Sequence, residues 1–235
     1  MKQRIIIIGD MGPQASLELH RRMIQQALAD GAKDGTDFPH IVHLSLPVPD
    51  FIANESRRSE ALEIIINELK DIAASMDDVI IIACNTAHLL QPDIEQRLNI
   101  RITSMVDAAI DYVSRHYKTI RLLASPTTIH TGLYDKPLKA AGVTVLTPDK
   151  DEEQALEVII RAVISDQAIP QSVLDKIPTT TQYEQANAVS YINNCPSSPP
   201  VLLGCTELSC AFAEKPNTID PINILLRYLT IKGVL

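Results

Sequence analysis

Short apolar runs alternate with longer amphipathic segments along the chain. The runs consist mostly of Ile, Leu, Val and Ala, which is typical of strands buried on both faces of a sheet. Four such runs lie at residues 4–8, 79–83, 120–124 and 201–204. The segments between them repeat apolar residues at helical spacing. This alternation predicts an α/β fold in which right-handed helical crossovers join parallel strands.

The same plan occurs twice. The first half is predicted to contain strands at 4–8, 41–44 and 79–83 and helices at 15–30 and 57–75. The apolar side chains of its first helix are expected to face the sheet: Leu17, Met23, Ile24, Ala27 and Leu28. The second half is predicted to contain strands at 120–124, 143–146, 201–204 and 218–220, helices at 125–141, 152–165 and 181–194, and a closing helix. The pattern predicts two similar lobes, each a parallel sheet flanked by helices, formed by residues 1–106 plus 208–235 and by residues 107–207.

Composition and charge exclude several classes of function. Of the 235 residues, 46% are hydrophobic and 21% charged, as in an ordinary globular protein. The net charge of −8 repels phosphate backbones, and no basic run offsets it, so nucleic acid is not an expected partner. No apolar run approaches the roughly 20 residues of a membrane span. The run at residues 5–8 is too short for a secretory signal, which predicts a cytoplasmic protein without a membrane partner.

The four cysteines lack the spacing of a metal site. Cys84, Cys195, Cys205 and Cys210 form no CxxC pair, so zinc is not expected, and a chain of this size needs no disulfides. A free cysteine is most often a small buried apolar residue. Cys195 and Cys210 are interpreted in that way.

Cys84 and Cys205 instead occupy equivalent positions in the two halves. Ile82-Ala83-Cys84-Asn85-Thr86 and Leu203-Gly204-Cys205-Thr206-Glu207 each lead from a strand through small polar residues into a helix. Ligands of open α/β sheets collect at such strand ends, and the N–H groups of a helix start favour thiolates and carboxylates. The pair predicts an active site in the cleft between the lobes, with one thiol on each side. A thiolate and a thiol on opposite faces of a carbon can remove and return a proton, as in two-base racemisation.

Three motifs resemble those of the aspartate/glutamate racemase family, the cofactor-independent amino-acid racemases. They are Gly9-Asp10-Met11-Gly12-Pro13, Cys84-Asn85-Thr86-Ala87-His88 and Gly204-Cys205-Thr206-Glu207-Leu208. Residues 122–128, Tyr134 and Asp220 add further matches, so the resemblance covers nearly the whole chain. It implies an isomerase that acts on a small amino acid without pyridoxal phosphate, metal or nucleotide and that tends to form a homodimer. The sequence also contains neither a P-loop nor a GxGxxG motif.

The resemblance implies roles by position. Cys84 and Cys205 would be the two acid/base thiols. The residues expected to contact the substrate are Met11, Asn85, Thr86, Ser125, Thr127, Thr128 and Thr206. Each short polar residue among them could instead cap a helix. His88 and Glu207 could tune the neighbouring thiols, although both fall in first helical turns, where the helix dipole favours Glu in any case.

Departures from the family pattern concern the substrate. Asp10 replaces a usual second glycine, either because Asp tolerates a left-handed backbone or because its carboxylate acts on a thiol. Aspartate-specific members hold the substrate's side-chain carboxylate with an arginine and a lysine, and Phe51 and Ile164 fall at those positions here. Arg57 and Arg58 could replace these cations or could be solvated surface residues. Family membership makes aspartate or glutamate the expected substrate, with a broad-specificity racemase as the alternative.

Three other functions are compatible with the same scaffold. Cys84 could act as a nucleophile, as in maleate isomerase, or the substrate could be a cyclic hydantoin. A small-molecule binding domain is the alternative without catalysis, since a fold does not determine a function. The two cysteine motifs favour the amino-acid racemases, and binding alone would require neither thiol.

Overall fold

The chain folds into two compact units. The computed structural model describes residues 3–9, 11–49, 57–177, 199–212 and 215–235. The first unit comprises Met1–Ala109 with Ile222–Leu235, and the second comprises Ile110–Pro221. None of the helices in these described ranges is both long enough and apolar enough to cross a membrane.

The first unit is built around a parallel sheet of three strands. The strands are β1 (Arg4–Gly9), β2 (His40–Ser45) and β3 (Val79–Ile82), in the order β2-β1-β3. The helices along this part of the chain are α1 (Pro13–Ala29), the 3₁₀ helix Gly35–Asp37, α2 (Arg58–Asp71), the 3₁₀ helix Thr86–Leu90, α3 (Gln91–Leu98) and α4 (Met105–His116). The boundary between the two units falls within α4.

Both faces of this sheet are buried, as its apolar strands predicted. The isoleucines of β1 point alternately to two clusters, because successive side chains of a strand face opposite sides. Ile6 and Ile8 pack in a cluster with residues of α2 and α3. Ile5 and Ile7 pack with residues of α1 and of the C-terminal helix. The sheet therefore forms the middle layer of three.

The second unit contains a parallel sheet of four strands. The strands are β4 (Thr119–Leu123), β5 (Thr144–Leu146), β6 (Val201–Leu203) and β7 (Thr218–Ile219), in the order β5-β4-β6-β7. The helices are α5 (Pro126–Thr131), α6 (Asp135–Ala140), α7 (Lys150–Ile164), α8 (Gln171–Leu174) and α9 (Thr206–Phe212). The closing helix α10 (Pro221–Ile231) then returns the chain to the first unit. The sequence predicted that the chain re-enters the first lobe at residue 208. In the structure, α9 and β7 still belong to the second unit, because β7 pairs with β6, and the chain re-enters the first unit at Ile222.

Two predictions about helices were wrong. The helix predicted at 125–141 is divided into α5 and α6, because Gly132 has a left-handed φ of 72° and ends α5. Leu17 and Leu28 do not face the sheet; they are 59% and 53% exposed, while Leu19 and Met23 fill the core side of α1. The helix predicted at 181–194 lies outside the described residues.

Gly204 provides a test of the packing at the end of β6. A Cβ atom on Gly204 would lie 2.8 Å from Leu122 Cδ1 and 2.9 Å from Ala124 Cβ. We expect Gly204→Ala to lower the free energy of unfolding by about 1–3 kcal/mol through overpacking, as measured by chemical denaturation. Gly35→Ala is the matched control, because a Cβ atom there meets nothing within 4 Å. Equal losses in the two variants would contradict this account.

Candidate active site

Cys84 and Cys205 each follow a strand beside which the strand order of the sheet reverses direction. In the first sheet β1 lies between β2 and β3, and Cys84 follows β3. In the second sheet β4 lies between β5 and β6, and Cys205 follows β6. The connections that leave two such adjacent strands diverge and form a crevice at the carboxyl edge, where open α/β sheets bind ligands. The topology thus gives each unit one crevice with a cysteine beside it.

Strand register brings the Met11 turn beside the Cys84 turn. Ile8 pairs with Ile82, and the Ala83 N–H donates to the Ile8 carbonyl at 2.9 Å. Cys84 is buried in the apolar cluster between the sheet and α2, and Met11 is half-buried against the same cluster. These two turns therefore lie at the same edge of the sheet.

The residues that follow Cys84 are almost fully buried despite their polarity. Asn85 and Thr86 are 1% and 2% exposed. Asn85 occupies the N-cap position of the 3₁₀ helix but makes no capping hydrogen bond with its side chain. The alternative interpretation of Asn85 as a side-chain cap is therefore wrong.

His88 contacts the backbone of the thiol turn. Its Nδ1 lies 2.8 Å from the Cys84 carbonyl oxygen and 3.2 Å from the Asn85 carbonyl oxygen. Its Nε2 is buried and has no hydrogen-bond partner among the described residues. Burial lowers the pKa of His88 from its ordinary value of 6.5, outweighing the carbonyl contacts and the negative charge of Asp107, which raise it.

Arg57 and Arg58 could have held the side-chain carboxylate of a substrate, but both contact other groups of the first unit. Arg58 donates to the Leu89 carbonyl at 2.9 Å and to Asp93 Oδ2 at 3.1 Å. Arg57 Nε lies 3.7 Å from Glu60 Oε2, in a pair whose side chains are about half exposed. Both arrangements are those of surface cations.

The other positions that depart from the family pattern add no cation. Ile164, the last residue of α7, is 38% exposed. Asp10 and Phe51 lie outside the described residues, so their predicted roles stay predictions.

Cys205 is hydrogen-bonded to a buried carboxyl group. Its Sγ donates to Glu207 Oε2 at 2.9 Å, and Thr206 Oγ1 lies 3.4 Å from the same oxygen. Glu207 is only 3% exposed. Burial raises the pKa of Glu207 from its ordinary value of 4.5, although the hydrogen bonds from Cys205 and Thr206 lower it. A location in a first helical turn, which was the sequence-based alternative, does not account for a carboxyl group buried against a thiol.

The Ser125 turn lies beside the Cys205 turn. Leu123 pairs with Leu203 in the sheet, and the chain then enters α5 after Ser125. The Ser125 hydroxyl accepts from the Thr128 N–H at 3.3 Å and donates to Thr128 Oγ1 at 3.1 Å. Ser125 is therefore the N-cap, while Thr127 and Thr128 lie in the first turn of α5.

A buried hydrogen bond that the sequence analysis missed supports the helix after Cys205. Ser209 Oγ donates to Asp220 Oδ1 at 2.7 Å, and both residues are buried. The bond ties α9 to the residue that follows β7. Asp220 was recognised only as a family match, and nothing in the sequence marked Ser209 as its partner.

The chain contains two further cysteines, Cys195 and Cys210. Cys210 is exposed on α9, so its interpretation as a buried apolar residue is wrong, and Cys195 lies outside the described residues. Within the ranges that the structure describes, no three or more His, Cys, Asp and Glu side chains are grouped so that they could bind a metal ion.

Comparison with known proteins identifies the family. The family model of Asp/Glu/hydantoin racemases matches residues 8–229. The chain belongs to this racemase family. The resemblance found in the sequence is thereby confirmed, and since racemases are isomerases the family assigns the chain to that class of enzymes.

Individual relatives agree in sequence and in fold. The broad specificity amino-acid racemase RacX of Bacillus subtilis (strain 168) is 28% identical over 159 residues, which is 67% of this chain and 69% of RacX. The aspartate racemase of Picrophilus torridus superposes with a TM-score of 0.72 at 22% identity, over 99% of this chain and 94% of that one. An aspartate racemase homologue from Pyrococcus horikoshii OT3 gives a TM-score of 0.69 at 23% identity over the whole of both chains. The structural matches confirm the predicted fold of two α/β lobes, each with a parallel sheet flanked by helices.

The buried Glu207 carboxyl should make stability depend on pH. Because the pKa of Glu207 is raised in the folded protein, the folded state keeps a proton that the unfolded state has lost. The free energy of unfolding should therefore fall as the pH rises from about 4.5 to the raised pKa, and this contribution should be constant above it. Glu207→Gln cannot ionise and should show a smaller fall in urea denaturation over this range.

Glu157→Gln on the surface of α7 is the matched control, since Glu157 is about half exposed and pairs with the exposed Arg161. It should retain the pH dependence of the wild type. If Glu207→Gln and the wild type have the same pH dependence, the Glu207 carboxyl is not held in its neutral form.

Proposed function

We propose that this protein racemises free amino acids by a two-base mechanism in which Cys84 and Cys205 exchange protons with the α-carbon. The proposal rests on one structural observation. In each unit, a buried cysteine follows a strand beside which the strand order of the sheet reverses direction, and buried polar residues come directly after it. Membership of the racemase family supports the reaction class.

The substrate loses one proton from one face of its α-carbon and gains one on the opposite face, so the reaction is balanced. For one enantiomer, a Cys84 thiolate removes the α-proton, and the Cys205 thiol gives its proton to the opposite face of the carbon. Cys84 is then a thiol and Cys205 a thiolate, which is the state required to convert the other enantiomer back. A second turnover in the same direction requires the two sulfur atoms to exchange protons with water. No redox change occurs.

The polar residues beside the thiols are proposed to stabilise the carbanion-like transition state. The α-proton is a weak acid, so negative charge that develops on the substrate carboxylate must be met by oriented donors. Asn85, Thr86 and Thr206 are each no more than 2% exposed and lie within two residues after a thiol. Donors in a water-poor environment of this kind interact more strongly with charge than they would in water.

Glu207 is proposed to share the proton of Cys205. When Cys205 is a thiol, it donates to the carboxylate at the observed 2.9 Å. When Cys205 is a thiolate, a protonated Glu207 can donate to sulfur instead. Burial raises the pKa of Glu207 and so moves its proton affinity closer to that of a thiol, whose ordinary pKa is about 8.5.

Replacement of either thiol tests the mechanism. Cys84→Ser and Cys205→Ser should each lower kcat/KM for racemisation by about 10²–10⁴-fold, because a serine hydroxyl is a far weaker acid/base group. In heavy water, the wild type should place solvent deuterium at the α-carbon of the product while unreacted substrate stays protonated at early times. Mass spectrometry of the separated enantiomers measures this.

Cys210→Ser is the control, since this thiol is exposed on the same helix that follows Cys205. It should leave racemisation within about twofold of the wild type, like most surface substitutions. Wild-type rates in either Cys84→Ser or Cys205→Ser would exclude the two-base mechanism, and products that retain the substrate's own proton would exclude it as well.

For the substrate, we propose that the enzyme accepts amino acids without requiring a second carboxylate. A side-chain carboxylate in a desolvated pocket needs a cation, because a buried unpaired charge costs several kcal/mol. Arg58 is bound to Leu89 and Asp93, and Arg57 lies beside Glu60. The broad specificity of the Bacillus relative, as its name states, supports the same choice.

Kinetics on a panel of amino acids test this choice. We expect kcat/KM values for aspartate, glutamate, homoserine and alanine to agree within about tenfold, which corresponds to no more than 1.4 kcal/mol of discrimination. Arg57→Ala and Arg58→Ala should leave the ratio of acidic to neutral substrates unchanged. A strong preference for aspartate or glutamate that disappears in either variant would identify that arginine as the clamp and contradict the proposal. A 5-substituted hydantoin belongs in the same panel and should not react.

The predicted homodimer stays a prediction. Leu17 and Leu28 on α1 and Ile231 on α10 are exposed apolar side chains of the first unit, and they are compatible with such an interface.

A further inference from the structure

We infer that His88 is a positioning residue: its neutral ring fixes and polarises the two peptide groups that follow Cys84, and it does not exchange a proton with the thiol. The inference rests on the proposed role of Cys84 as an acid/base group. It concerns how the turn that carries this thiol is kept in one geometry.

The contacts of the ring determine where its proton lies. Nδ1 is within hydrogen-bond distance of two carbonyl oxygens, those of Cys84 and Asn85. A carbonyl oxygen can only accept, so Nδ1 must carry a hydrogen and donate it to both. Nε2 is then the nitrogen that gains or loses a proton. It is buried without a hydrogen-bond partner among the described residues, so a proton on Nε2 would have no acceptor there. The negative charge of Asp107 favours the charged ring, but burial outweighs it.

These two carbonyl groups belong to the peptides whose N–H groups are those of Asn85 and Thr86. A hydrogen bond to a carbonyl oxygen polarises its amide and strengthens donation from the N–H of the same amide, by roughly 10–30% per bond. The His88 N–H adds a third contact, because it donates to the Asn85 carbonyl at 3.1 Å. His88 therefore orients and strengthens the donors proposed to meet the substrate carboxylate.

The same geometry argues against a thiolate–imidazolium pair. Reactive cysteines in such pairs need a cationic ring to stabilise the thiolate. Burial lowers the pKa of His88, which keeps the ring neutral when it is folded. The Nδ1 of the ring is within hydrogen-bond distance of the Cys84 backbone oxygen.

Nuclear magnetic resonance of the wild-type protein gives the first test. With ¹⁵N-labelled histidine, His88 should show the neutral tautomer that is protonated at Nδ1, and its pKa should lie below the ordinary histidine value of 6.5. Assignment follows from the signal lost in His88→Asn. A tautomer protonated at Nε2, or a cationic ring at neutral pH, would overturn the inference.

Two amide substitutions give the second test. The amide nitrogen of asparagine is as many bonds from Cα as histidine Nδ1, and the amide nitrogen of glutamine is as many bonds from Cα as histidine Nε2. His88→Asn should keep kcat within about threefold of the wild type, while His88→Gln should lower kcat by about 10-fold or more, as for a lost buried donor. Equal losses in both variants would indicate that the ring only fills space and would overturn the inference.

The pH dependence of Cys84 alkylation separates positioning from ion pairing. Peptide mass spectrometry can follow the rate at this residue alone. The apparent pKa of Cys84 should be the same in the wild type and in His88→Asn, whereas an imidazolium partner predicts a higher value in the variant. The magnetic resonance and alkylation measurements do not require turnover. If the wild-type protein racemises no amino acid, the proposed function is refuted. The two measurements would still decide the role of His88.

Discussion

The hydrogen bonds that close the two central strand pairs determine where the thiols lie. The Ala83 N–H donates to the Ile8 carbonyl, and the Gly204 N–H donates to the Leu123 carbonyl. In each case the donor immediately precedes a cysteine. A shift of one residue in either pairing would turn the thiol to the other face of its sheet, because side chains alternate along a strand. The strands that carry these bonds are largely buried, and their register positions Cys84 and Cys205 at the carboxyl edges of the two sheets.

A second constraint is the burial of polar groups directly after each thiol. The fold excludes water from Asn85, Thr86, His88, Thr206 and Glu207. Such burial costs stability unless each polar group finds a partner. Local contacts supply several of these partners: the His88 ring binds two carbonyl groups, and Glu207 accepts from Cys205. The apolar sheets thus offset the cost of keeping a polar site dry, and a dry site strengthens the donors needed for proton removal from carbon.

The sequence predicted the features that depend on local patterns and missed those that depend on distant partners. Apolar runs located β1, β3, β4 and β6 because a strand buried on both faces needs no other information. Helical spacing could not predict that Leu17 and Leu28 are exposed. The side of α1 that is buried depends on how the helix packs against the sheet. Motif resemblance located the candidate site residues and suggested that Glu207 could tune a thiol, but it did not show that the Glu207 carboxyl group is buried and accepts from Cys205. Nor could it show that Arg58 binds Asp93, a partner distant in sequence.

The two thiols occupy equivalent topological positions but have different chemical environments. Beside Cys205 is a carboxyl group that can share its proton, while the backbone of Cys84 is bound by a neutral imidazole. In a two-base racemase this asymmetry can give the two enantiomers different kcat and KM values. It cannot favour either one at equilibrium, because enantiomers have the same free energy in water and their kcat/KM values must therefore be equal. The difference between the two environments therefore changes how the enzyme is distributed between its two protonation states during turnover, and it leaves the equilibrium between the enantiomers unchanged.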